Sequence, residues 1–246
     1  MTTRHLERVE LKPRREIDRA RWPYTIPAVA QVIDEGLDVP AGVTFLVGEN
    51  GSGKSTLVEA MAHAYPRRGV ENPYVNLLGD RGRPEDSPLG WDLRAVTHGL
   101  ASPAGFFLRA ETMHQVLGEA DAAESQRRAW GGERVQERSH GESFLAILRH
   151  RFTDPGVYFL DEPEAALSFR SCLGLIALLD TMRREGSQVV CATHSPLLVS
   201  LPGATLLEVG EWGLREAAYD DLDLVRSWRE FLDAPGRWLR HLVDQD

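Results

Sequence analysis

The chain has 246 residues, 42% hydrophobic and 26% charged, with a formal charge of −9 at pH 7, a composition ordinary for a soluble globular protein. That negative balance argues against bulk, sequence-independent nucleic-acid binding, which needs clustered cations. No apolar run nears the roughly 18 residues of a membrane helix and the polar start Met1-Thr2-Thr3-Arg4-His5 is no signal peptide, so a cytoplasmic location is expected.

In chain order, the first forty residues read as strands and loops, punctuated by Pro23, Pro27 and Pro40. Between Arg4 and Arg21 seven basic residues face four acidic ones, a surplus that reads as a solvated face. Val43–Val47 then predicts a buried strand, Gly48-Glu49-Asn50-Gly51-Ser52-Gly53-Lys54-Ser55-Thr56 a loop, and Leu57–Tyr65 a helix. The loop fits G-x-x-x-x-G-K-[ST] at every specified position. Its glycines let the backbone wrap closely round a polyphosphate with N–H groups turned inward, and the helix N-terminus adds partial positive charge. Asn50, Gly51, Ser52, Gly53, Lys54, Ser55 and Thr56 are therefore the expected triphosphate cradle. Lys54 would reach the β- and γ-phosphates, and the Ser55 hydroxyl would hold Mg²⁺. Lys54 is one of only two lysines, the other being Lys12, in a chain that otherwise uses arginine. A compact ammonium suits a phosphate nest better than a planar fork.

Residues 66–105 are rich in Gly, Pro, Asp and Arg and read as a loop-heavy excursion with little core. The apolar run Phe106-Phe107-Leu108 leads into Arg109-Ala110-Glu111, and residues 112–150 look helical on either side of Gly131-Gly132. A second buried strand, Val157–Leu160, follows the turn Asp154-Pro155-Gly156. After Pro163 an amphipathic helix runs through Leu173, Ile176, Leu179 and Met182 and is closed by Gly186; Val189–Ala192 is a third buried strand. The tail offers a hairpin, Thr205–Val209 with Leu214–Glu216, and a helix holding Trp228, Phe231 and Leu232. Strands alternating with helices imply a mostly parallel sheet covered on both faces. Cys172 and Cys191 read as small buried hydrophobes without metal-ligand spacing.

Four motifs accompany the phosphate loop. In Leu160-Asp161-Glu162-Pro163-Glu164, Asp161 stands at a strand's carboxyl end, where it can hold the Mg²⁺ hydration shell. Glu162 can orient and deprotonate a water for attack on a γ-phosphate. Thr193-His194-Ser195 places an imidazole near the carboxyl edge of the sheet, where it could sense that phosphate. Ser139-His140-Gly141-Glu142-Ser143, just before a helical run, makes a second anion nest. One chain needs no second nest for one triphosphate unless it serves a neighbour's nucleotide. Ala165-Ala166-Leu167-Ser168 is placed to cross a dimer interface.

This set resembles the ATP-binding-cassette ATPases, and within them the soluble repair, recombination and chromosome-maintenance branch. The phrases Phe107-Leu108-Arg109-Ala110-Glu111, Ser139–Ala146 and Ala192–Pro196 are similar to a family of small stand-alone bacterial ATPases. The resemblance implies an α/β P-loop NTPase fold, with a mostly parallel sheet flanked by helices, an N-terminal antiparallel β part and a small helical subdomain at 112–150. It implies one domain over 1–246, ATP and Mg²⁺ as ligands, and an ATP-dependent homodimer. By the same resemblance Glu111 or Gln115 would sense metal and γ-phosphate, Glu111 being preferred because it directly follows the strand-like run. Ser139 and Gly141 would cap the ATP of a second subunit. Lys54, Glu162 and His194 would be catalytic, with Ser55, Asp161 and Glu111 at the metal. The signature departs from the transporter form LSGGQ, and Ser168 stands where an aspartate is usual. Trp22 and Tyr24 are the aromatic candidates for stacking on adenine. Only 85 residues separate Lys54 from Ser139, too few for a long coiled-coil arm.

The leading expectation is an ATPase whose dimerisation cycle acts on an unidentified protein or nucleic acid. Two alternatives are a small-molecule phosphoryl transferase and a regulatory ATP switch in a repair or defence complex.

Overall fold

A computed structural model describes residues 4–65, 87–97, 105–109, 145, 148–149 and 154–240. Its centre is a six-stranded sheet whose strands are β3 (Val43–Val47), β5 (Gly105–Arg109), β6 (Val157–Asp161), β7 (Gln188–Thr193), β8 (Thr205–Gly210) and β9 (Gly213–Glu216). The order is β5-β6-β7-β3-β8-β9, parallel throughout except for the β8–β9 hairpin. Because successive side chains on a strand point to opposite faces, each central strand serves two cores. Val43, Phe45 and Val47 enter one core and Leu46 the other; Tyr158 and Leu160 oppose Val157 and Phe159, and Val189 and Cys191 oppose Val190 and Ala192. The apolar runs read from the sequence as buried strands are thus buried on both sides.

Helix α4 (Phe169–Arg184) covers the first core. The second is covered by α1 (Pro27–Glu35), α2 (Lys54–Ala64), the short α3 (Pro88–Asp92) and a three-stranded antiparallel sheet. That small sheet has the order β2-β1-β4, with β1 at Leu6–Leu11, β2 at Leu37–Asp38 and β4 at Leu93–Thr97. Gln188, fully buried at the start of β7, joins the two sheets. Its Oε1 accepts from the backbone N–H groups of His5 (3.1 Å) and Leu6 (2.8 Å). Its Nε2 donates to the carbonyls of Leu6 (2.9 Å), Val39 (3.1 Å) and Pro40 (2.8 Å). The chain ends in α5 (Asp223–Asp233) and α6 (Pro235–Leu239).

Four expectations change. Residues 27–35 are helix rather than strand and loop: Pro27 stands at the first helical position, where its missing N–H costs nothing, and Ala28, Val29, Val32 and Ile33 form the buried face. The excursion at 66–105 does contribute core within its described part. Ser87 caps α3 by accepting from Gly90 N–H at 3.2 Å, and Leu89 and Leu93 are fully buried. In α4 the buried stripe is Cys172, Leu175, Leu179 and Met182, while Leu173, about 100° round the helix, is exposed. In α5 only Val225 is buried, and Trp228 and Leu232 face outward. The N-terminal basic residues behave as the solvated face expected of them: Arg8 pairs with Glu10 and Asp38, Arg15 with Asp92, and Arg19 with Asp34. Cys172 and Cys191 are buried free thiols, and burial holds the Cys191 pKa well above its usual value. The predicted helical subdomain at 112–150 lies outside the described residues, apart from the isolated helical positions 145, 148 and 149.

Candidate functional site

The loop after β3 and the loop after β6 leave the sheet at the same carboxyl edge, where open α/β sheets collect ligands. Between them lies a cavity of about 420 Å³ lined by Asn50, Gly51, Gly53, Lys54, Ser55 and Thr56 from the first loop and helix, Asp161 and Glu162 from the second, Arg109 at the end of β5, and Trp22 and Ile26. Two backbone requirements shape the first loop. Gly53 has φ +100° at the N-cap of α2, and a Cβ there would lie 2.6 Å from Ile26 Cγ2. At Gly48 a Cβ would lie 2.3 Å from the carbonyl oxygen of Val209, on the neighbouring strand β8. The glycines are where chain and strand approach too closely for a side chain.

Lys54 opens α2 and is 3% exposed. Its Nζ donates to the Glu49 carbonyl at 2.8 Å. Burial pulls its pKa below the usual lysine value, and the charges of Glu162, Asp161, Glu164 and Glu49 oppose that shift. The neighbouring carboxylates thus offset the desolvation that disfavours the charged ammonium. Ser52 does not line the cavity; its Oγ is buried without a hydrogen-bond partner among the described residues.

Asp161 is 3% exposed at the last position of β6. Its Oδ2 accepts from Arg109 Nε at 2.9 Å, while its Oδ1 is buried with no hydrogen-bond partner among the described residues. An orphaned oxygen on a carboxylate that lines the same cavity as Ser55 fits a divalent cation or its water shell. Among the described residues no cluster of three His, Cys, Asp or Glu side chains is arranged to hold a metal. Magnesium does not require one, since it is commonly held by one or two carboxylates together with substrate phosphates.

Glu162 adopts φ +49° and ψ +49°, the left-handed region, and caps the 3₁₀ turn Pro163–Ala166. Such a conformation costs a non-glycine residue on the order of 1–3 kcal/mol and collects at functional sites. The Glu162 N–H donates to the Ala192 carbonyl of β7 at 2.9 Å, which fixes the turn. The His194 Nδ1 lies 3.5 Å from Glu162 Oε1 and 3.6 Å from Glu164 Oε1. Glu164 is buried, and its Oε1 accepts from the Thr193 hydroxyl and from the His194 N–H at 2.8 Å. Desolvation raises the Glu164 pKa, and its hydrogen bonds and the neighbouring imidazole lower it in part. A buried carboxylate therefore ties the end of β7 to the turn after β6 and sets the imidazole beside Glu162.

The structure thus gathers Asn50, Gly51, Gly53, Lys54, Ser55, Thr56, Asp161 and Glu162 at one cavity, with His194 behind Glu162. Glu111, Gln115, Ser139 and Gly141 lie outside the described residues. Of the adenine candidates, Trp22 lines the cavity and is 65% exposed, whereas the Tyr24 hydroxyl donates to Asp92. Arg109 and Glu164 were missed as site residues. Arg109 ends an apolar strand and Glu164 stands two residues after Glu162, yet nothing local in the sequence announces their contacts.

Among the described residues no helix is long and apolar enough to cross a membrane. The profile described as "ABC transporter" matches residues 36–165, more than half of the chain. A second, "AAA domain, putative AbiEii toxin, Type IV TA system", matches residues 143–200. Among similar proteins, the "Putative ABC transporter ATP-binding protein" of Pyrococcus horikoshii is 30% identical over 176 residues, covering 64% of this chain and 65% of its own. The manganese transport system ATP-binding protein MntB of Bacillus subtilis is 25% identical over 195 residues, covering 73% of this chain and 76% of its own. A dimeric bacterial ABC transporter cassette overlays with a TM-score of 0.43 at 17% identity, covering 75% of this chain and 88% of that one. With a phosphate loop and a strand-end Asp-Glu pair at one cavity, and a family profile spanning both, the chain belongs to the ABC transporter family of ATP-binding domains.

Proposed function

We propose that the chain hydrolyses ATP with Mg²⁺, in a site completed by a second copy of itself, and passes the resulting conformational cycle to a partner. The observation that carries this reading is the convergence of Lys54, Ser55, Asp161 and Glu162 on one cavity, with Asp161 Oδ1 buried and unpartnered. In this reading the loop backbone and Lys54 bind the triphosphate, and Ser55 and Asp161 hold the ion. When bound, Mg²⁺ neutralises charge on the phosphates of the transition state. Glu162 orients the attacking water and accepts its proton. His194, held by Glu164, keeps Glu162 in place and registers the γ-phosphate. Glu111 senses the same phosphate from the segment after β5. Trp22, exposed at the cavity mouth, is the side chain offered to the base.

The second copy supplies Ser139 and Gly141, whose motif is an anion nest that one chain alone does not need. Support for a two-copy assembly also comes from the surface beside Ser168. Phe169 is 63% exposed and Leu173 47% exposed at the start of α4, next to the turn that carries Glu162. Apolar groups of that size in water suit an interface. Membership of the ABC family does not favour the phosphoryl-transferase alternative. The match of residues 143–200 to an AAA domain described with a toxin–antitoxin system supports a partner in a defence system. The manganese-transport relative supports a transport partner instead. Capture of partners on the ATP-bound protein separates the two. The catalytic part is tested by Glu162→Gln. Loss of a general base slows turnover on the order of 10²–10⁴-fold; wild-type turnover in that variant would remove Glu162 from the mechanism.

A further inference from the structure

Arg109 is a partly buried cation that the expected site does not use. It ends β5, directly across the sheet from Asp161 at the end of β6. Its Nε donates to Asp161 Oδ2 at 2.9 Å and its terminal nitrogen to Glu59 Oε2 on α2 at 2.7 Å, so one guanidinium bridges the strand-end aspartate and the phosphate-loop helix. Asp161 is almost fully buried, and an ionised carboxylate in that position needs a cation. Arg109 supplies it, and it also lines the cavity. Burial by itself would lower the Arg109 pKa, but the charges of Glu59 and Asp161 reverse that, so the guanidinium stays protonated.

We infer that Arg109 is a resident counter-ion that closes the Asp161 site to divalent cations until a polyphosphate is bound. The inference rests on the metal role proposed for Asp161. A divalent ion approaching Asp161 alone meets a fixed positive charge already bonded to the same carboxylate. The ion's attraction to Asp161 is offset by repulsion from Arg109. When a triphosphate enters with the ion, its negative charges outweigh that repulsion, and the metal binds as part of the complex. Arg109 so acts as a positioning and gating residue rather than a catalytic one. It makes metal occupancy conditional on nucleotide and keeps the nucleotide-free site neutralised.

The test is Mn²⁺ binding to nucleotide-free protein, followed by electron paramagnetic resonance, with wild type, Arg109→Gln, Glu59→Gln and the double variant Arg109→Gln with Asp161→Asn. Loss of one charge-assisted bond corresponds to a factor on the order of 10–100. Arg109→Gln should therefore bind Mn²⁺ without nucleotide on the order of 10–100-fold more tightly than wild type. Asp161→Asn in the same chain should abolish the gain, which places the ion. Glu59→Gln removes the other anchor but leaves Arg109 on Asp161, so it should bind Mn²⁺ no more tightly than wild type. Equal Mn²⁺ affinity in Arg109→Gln and wild type overturns the inference, as does an equal gain in Glu59→Gln. A gain that survives Asp161→Asn puts the ion elsewhere and counts against the metal role of Asp161 itself. If Arg109→Gln does not fold, the wild type still decides. Mn²⁺ alone should leave its melting temperature unchanged, whereas Mn²⁺ with a non-hydrolysable ATP analogue should raise it beyond the analogue alone. A shift with Mn²⁺ alone overturns the inference.

Discussion

Replacing Gln188 by leucine should destabilise the fold by about 3–5 kcal/mol, because one amide holds two sheets together. Gln188 is fully buried, and its five hydrogen bonds reach His5, Leu6, Val39 and Pro40, none of them closer than 148 residues along the chain. Leucine fills a similar volume, so cavity formation contributes little. What it leaves is the backbone N–H and carbonyl of Leu6 in buried surroundings, while the Val39 carbonyl keeps its bond from Arg4 Nε at 2.8 Å. Each such orphan costs about 1–3 kcal/mol, and rearrangement or an inserted water recovers part of that. A chain of this size loses about 2–4 °C in Tm per kcal/mol, so the variant should melt about 6–20 °C lower. Urea unfolding followed by circular dichroism gives the free energy independently of heat. Gln188→Glu should be at least as damaging, since it keeps the acceptor but turns three donations into repulsion between oxygens. A Gln188→Leu midpoint equal to wild type would refute the claim that this side chain joins the sheets.

Two further outcomes follow from the site. Gly48→Ala places a methyl group against the Val209 carbonyl on β8, which pairs with β3 and cannot easily yield. Overpacking of that kind costs about 1–3 kcal/mol, so ATP affinity should fall on the order of tenfold, read by a fluorescent nucleotide analogue; unchanged affinity would show that the loop moves freely. Glu164 has its folded pKa raised by burial above the ordinary 4.5. The protonated form is then favoured by folding, and the stability this gives is complete below the unfolded pKa and lost as pH rises through the folded one. Glu164→Gln keeps the acceptor for Thr193 and His194 but cannot ionise. Its Tm relative to wild type should rise as the pH increases above the ordinary 4.5, and a flat difference would contradict the assigned burial.

The parts of this molecule that could be read in advance are those whose signal is local. Val43–Val47, Val157–Leu160 and Val189–Ala192 are apolar on every residue because both faces of their strands are covered, and the sequence shows it without knowledge of what covers them. The phosphate loop is contiguous, so Lys54 and Ser55 are legible from their neighbours alone. The helix at 27–35 was hidden by Pro27, which reads as a break unless the position that follows is already known to be helical. The Arg109–Asp161 pair joins residues 52 apart through strand order, and the Thr193–Glu164 contact through the meeting of two strand ends. Pairings of that kind are decided by topology, which no local pattern contains. The left-handed conformation of Glu162 is of the same sort, imposed by its N–H bond to Ala192.

The central claim, that ATP is shared between two copies, is tested most directly by the molar mass of Glu162→Gln in solution. Light scattering on a sizing column should give 27.5 kDa without nucleotide. With ATP and Mg²⁺ it should give twice that, and Ser139→Ala in the same chain should restore the monomer. A mass of 27.5 kDa under both conditions, from protein shown to bind ATP, would contradict the shared site.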